Sequence, residues 1–156
     1  MLSSMDRAVR EGLFQPIVDA TGIDPVRTAW TCETVSHLLA TTSLVIFGVR
    51  AIGESASIVL VPLALFGATV PVHQASIGLQ AYMMRRGHRR DDAASCISRL
   101  SLLASTAINT MLYVALTTLL DGTLARFAIG AAAVAMPAGL GAVYFMTCAG
   151  RSDDRR

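Results

Sequence analysis

Lysine is absent: all 13 basic residues of the 156 are arginine. A guanidinium grips phosphate through two parallel bonds where an ammonium cannot. Yet arginine stands here even where no phosphate contact is plausible, which fits codon usage in a GC-rich genome. Charge of any sign is scarce, at 15% of residues, where a soluble domain carries about a quarter. The formal charge of +2 gives no reason to expect nucleic acid as a partner. Cys32, Cys96 and Cys148 stand far apart with no CxxC or CxxH spacing. That excludes a disulfide scaffold and a zinc module. There is no serine-nucleophile motif, HExxH, glycine-rich phosphate loop or pair of carboxylates within an apolar run. No catalytic residue, metal or cofactor is therefore assigned, and enzymatic activity is not expected.

What is present is apolar: 53% hydrophobic residues and a mean hydropathy of +0.54. The charges crowd into short patches between long runs almost free of them. The pattern turns on Gly78 to Leu100, GLQAYMMRRGHRRDDAASCISRL, where a charged cluster separates two apolar segments each long enough to cross a bilayer. The expected fold is an all-α polytopic membrane protein. Four transmembrane helices form an up-down bundle, over about residues 35–52, 57–84, 97–120 and 124–148, preceded by a short amphipathic N-terminal helix. Residues 1–24 are read as cytoplasmic helix and loop, 25–148 as the membrane domain and 149–156 as a solvated tail.

In order, Met5, Val9 and Leu13 recur every four residues with Leu2 beside them, while Asp6, Arg7, Arg10 and Glu11 take the other side. Such a helix lies in the headgroup layer or docks on a partner. Pro16 is expected to stop it, and Asp19 to Asp24 to form a loop. Asp24-Pro25 reads as an N-cap followed by a first-turn proline. Tight turns are expected at Gly53-Glu54-Ser55 and Asp121-Gly122-Thr123. The first strong apolar run starts only after about thirty residues, which is wrong for a cleaved secretory signal, so the first span is expected to direct insertion.

With the N-terminus and the Arg85 turn both inside, four spans place the C-terminus inside too. Arginine then lies on the cytoplasmic side except at Arg50 and Arg126, as the positive-inside rule asks. Trp30, Tyr82 and Tyr144 fall at the inner interface, where amphipathic rings belong. The compact form and the arginine usage point to a bacterial inner membrane.

Two polar seams run through the apolar segments. Thr69, His73, Ser76 and Gln80 share one helical face of span two; Ser98, Ser101, Ser105 and Asn109, continued by Tyr113, share one of span three. In a hairpin centred near Asp91, His73 meets Asn109 and Thr69 meets Tyr113. An ionisable group inside a bilayer suggests a proton or ligand site, whereas hydrogen bonds between helices need only about 0.6 kcal/mol apiece to hold a bundle. His37 and His73 form a histidine pair for haem, but at mismatched depths. The three cysteines share the cytoplasmic membrane surface, without chelating spacing. Ala131, Ala135 and Gly139 make a small-residue packing face on span four, open to a partner or to the bundle itself. Arg85, Arg86, Arg89 and Arg90 can hold anionic headgroups at about 1 kcal/mol each.

These features lead to the expectation of a small membrane protein acting through helix packing, as an accessory subunit of a larger complex or as a homo-oligomer. Its partners are then the lipid bilayer and other membrane subunits or copies of itself. The alternative is a small transporter or channel with a polar pathway around His73 and Asn109.

Overall fold

A computed structural model describes residues 1–53, 57–86, 93–119 and 122–149. They are helical nearly throughout, with no strand among the described residues. A short N-terminal arm consists of α1 (Leu2–Val9), a π-helical turn (Arg10–Phe14) and α2 (Gln15–Thr21). Four long helices follow: α3 (Pro25–Gly53), α4 (Ser57–Arg85), α5 (Ala93–Leu119) and α6 (Thr123–Cys148). Three stretches, Pro25–Val49, Ala93–Thr118 and Thr123–Cys148, are long and apolar enough to cross a membrane. They point to a membrane-integral protein. The fourth helix, α4, runs for 29 residues.

The arm departs from the sequence expectation at Pro16, which does not end the helix. Proline has no N–H to give and its ring crowds the carbonyl four residues back. Here the ladder widens into the π turn immediately before Pro16, so the chain stays helical to Thr21. Gly22, at φ +65°, ends it by taking the left-handed conformation that glycine adopts without steric cost. The loop is thus shorter than expected. Asp24 then caps α3, its Oδ1 accepting from the Val26 N–H at 2.9 Å.

The central helix is α6, which packs on α3, α4 and α5 and carries the arm across its C-terminal end. Its apolar stretch is 67% buried, against 22% for those of α3 and α5. Small residues make this possible. Ala128, Ala131, Ala132, Ala135 and Gly139 are all buried and let α3 approach closely. A side chain at Gly139 would overlap Ile77 Cδ1 of α4 and stand 2.9 Å from Ser36 Oγ of α3. Two apolar clusters stack along the axis. One joins Ala40, Phe47, Val70, Tyr113, Ile129 and Met136; the other, at the arm end, joins Phe14, Ala29, Ile77, Leu102, Leu140 and Tyr144.

The expected turns around residues 54–56, 87–92 and 120–121, and the tail 150–156, lie outside the described residues. Gly122 caps α6 at φ +104°.

Candidate functional site

Two buried polar centres stand out, one at the arm end and one along the hairpin of α4 and α5.

At the arm end, Arg99 sits two turns into α5 and is 1% exposed. A guanidinium cannot shed its charge, so burial demands a carboxylate. Asp6, 3% exposed, supplies it. Arg99 Nη2 donates to Asp6 Oδ2 at 2.6 Å and Arg99 Nε to Asp6 Oδ1 at 3.0 Å, the two-pronged geometry that suits a carboxylate. Tyr144 of α6 donates its hydroxyl to Asp6 Oδ1 at 3.1 Å. Arg99 Nη2 also reaches Cys96 Sγ at 3.5 Å. Two turns along the arm, the ring of Phe14 stacks on Tyr144 at 4.9 Å and meets Phe145 edge-on at 5.2 Å. The arm is therefore fixed to α5 and α6 by charge at one point and by rings at the next.

This centre corrects two sequence expectations. Asp6 faces the bundle rather than the polar exterior, because Arg99 needs its charge. Tyr144 is fully buried under the arm rather than exposed as an interfacial ring, because its hydroxyl is spent on Asp6. Trp30 and Tyr82 are the exposed aromatics at this end. The sequence held one signal for the centre: an arginine inside an apolar run has to find a carboxylate.

Along the hairpin, Thr69 and Tyr113 share a hydrogen bond of 2.5 Å, and Gln80 donates to Ser98. His73 does not pair with Asn109. Its Nε2 donates to the Met136 carbonyl of α6 at 3.3 Å, with Thr106 Oγ1 at 3.5 Å. Asn109 instead turns back along α5, donating to the Ser105 carbonyl at 2.9 Å and to Ser105 Oγ at 3.0 Å. Local bonding of this kind is available to asparagine in any helix, and α6 offers the histidine a nearer acceptor. Ser76 likewise donates to Val72 of its own helix at 2.9 Å. A crevice of ≈ 210 Å³ opens beside these groups, lined by His73, Ser76, Ser98, Ser101 and Ser105 with Val72 and Leu102. With the Nε2 N–H directed to a carbonyl, Nδ1 is the second polar atom of the ring. It has no partner among the described residues, and neither have Gln74 Oε1 and Thr110 Oγ1.

A third set of contacts went unread in the sequence. Ser36 Oγ donates to the Ala135 carbonyl at 2.7 Å, Ser43 Oγ to the Ala128 carbonyl at 2.6 Å, and Gln74 Nε2 to Ser36 Oγ at 2.9 Å. Ser36 and Ser43 are seven residues apart, hence on one face of α3, which was the signal available.

The remaining candidates are scattered. Ala131, Ala135 and Gly139 are buried within the chain, against α3 and α4. His37 is exposed, with Nδ1 2.7 Å from the Glu33 carbonyl of its own helix, and does not join His73. Arg86 lies over the Tyr82 ring at 5.1 Å; Arg89, Arg90 and the side chains of Arg50 and Arg85 lie outside the described residues. Among the described residues no three His, Cys, Asp or Glu side chains gather as metal ligands. No protein-family model, curated protein or solved structure matches the chain.

Proposed function

We propose that this is a four-span protein of a bacterial inner membrane, with both termini cytoplasmic, that works through helix packing. It acts as an accessory subunit of a larger membrane complex or as a homo-oligomer. The observation that carries this reading is where the polar side chains inside the bundle end. Ser36, Ser43, Thr69, His73, Gln74 and Gln80 all bond to a neighbouring helix. Hydrogen bonds of that kind hold transmembrane helices together. The small-residue face of α6 is consumed inside the chain, so a partner would meet the outward rows, such as Leu38 and Val45 of α3 or Ile108 and Met111 of α5. Gentle affinity purification from native membranes, followed by native mass spectrometry, tests the reading. A defined assembly is expected; a stable, monodisperse monomer with nothing co-purifying counts against it.

The transport reading draws on one specific observation, the serine-lined crevice beside His73 with its unpartnered Nδ1. It predicts that His73→Ala abolishes a flux measurable in liposomes, whereas a packing contact would leave that flux intact.

A further inference from the structure

The arm is apolar on two sides: Phe14, with Val9 and Val18, packs into the bundle, while a second apolar row faces outward. In a helix docked on a water-soluble core, apolar residues turn inward and charges outward. Here Asp6 is buried, while Met5 is 50% exposed, Leu13 55% and Ile17 40%, and Leu2 is exposed beside them. The π turn sets this register. It takes up one extra residue between Met5 and Leu13. Counted at about 100° per residue with that one residue absorbed, Leu13 and Ile17 each fall within about 20° of Met5, on either side of it. In an uninterrupted α-helix the same three would spread over about 120°. The same shift brings Phe14 into line with Asp6, so one turn aligns the docked face and the outward stripe together.

The surroundings of the stripe identify what covers it. Trp30 and Tyr82 are exposed at this end of the bundle. Arg7, Arg27 and Arg86 are exposed there too, the Arg27 side chain by 90% although it lies 3.6 Å from Asp24. Exposed aromatic rings and arginines flanking an apolar strip match a lipid interface with anionic headgroups above and acyl chains below. A soluble partner would have no use for that layering.

We infer that the N-terminal arm is a membrane-surface element, pinned to the bundle by Asp6, Arg99 and Tyr144 so that Leu2, Met5, Leu13 and Ile17 enter the inner leaflet. The inference rests on the membrane-integral reading, and the experiment separates the two. The only tryptophan is replaced by Trp30→Phe, and single reporters are introduced by Leu13→Trp on the arm and Met111→Trp on the outer face of α5. The full chain is reconstituted in vesicles of phosphatidylcholine and phosphatidylglycerol with brominated acyl chains. Both reporters are expected to emit in the blue and to lose at least half their fluorescence to bromine. If Met111→Trp is quenched and Leu13→Trp is not, the arm inference is overturned while the membrane reading stands. Blue-shifted but unquenched emission at position 13 would mean that protein, such as a second copy, covers the stripe. Loss of quenching at position 111 as well would remove the membrane reading itself. Ile17→Trp gives a second arm reporter should the first fail to insert.

Discussion

The two buried polar centres solve the same physical problem in opposite ways. At the arm end, Asp6, Arg99 and Tyr144 close on one another, and none of their buried side-chain atoms lacks a partner. Along the hairpin, His73 Nδ1, Gln74 Oε1 and the Thr110 hydroxyl have no partner among the described residues. Satisfied networks rigidify a fold, while an orphaned group costs about 1–3 kcal/mol and persists only where something else uses or tolerates it. The arm end therefore reads as a fixed joint, and the hairpin as the part of the bundle with freedom left in it.

The largest effect should come from opening the joint. Asp6→Ala leaves a buried guanidinium uncompensated and is expected to cost about 3–5 kcal/mol. It should show as a large fall in the unfolding midpoint in mild detergent and as protease sensitivity in residues 1–24. Tyr144→Phe removes one bond to a charged acceptor while keeping the stacked ring on Phe14, for a loss of about 1.5–3 kcal/mol. Gly139→Ala forces Ile77 and Ser36 aside in a closely packed crossing, at about 1–3 kcal/mol. It should be followed by denaturant titration of the purified protein. The comparison sharpens with the smaller effects. Ser43→Ala removes one bond between helices and should cost about 0.6 kcal/mol by the same assay. His73→Leu exchanges a half-satisfied ring for an apolar side chain and should stay within about 1 kcal/mol of the parent. A loss at His73 as large as that at Asp6 would erase the distinction between the two centres.

The long helices were legible because periods of apolar residues broken by charge need no tertiary information. The hairpin register was legible in part. Thr69 and Tyr113 meet as counting from the turn predicts, but the same counting could not see that α6 stands close enough to take His73 away from Asn109. The arm was the least legible region. Its amphipathic pattern says which residues share a face, not which face turns inward, and the answer depended on Arg99, some ninety residues away. The π turn compounded this, since a strict 100° period misaligns Leu13 and Ile17 with Met5. The role of the small residues on α6 was likewise open, because close approach can serve a partner or the chain itself, and only packing decides between them.

Most of this account stands on the joint between arm and bundle, and a double-mutant cycle on Asp6 and Arg99 tests it most directly. Asp6→Ala, Arg99→Met and the double variant would be unfolded side by side in the same detergent. A coupling of several kcal/mol is predicted, with the double variant more stable than the sum of the single losses allows. A coupling near zero, as found for exposed ion pairs, would mean that Asp6 and Arg99 do not meet in a buried joint and that the arm is not held where it is described.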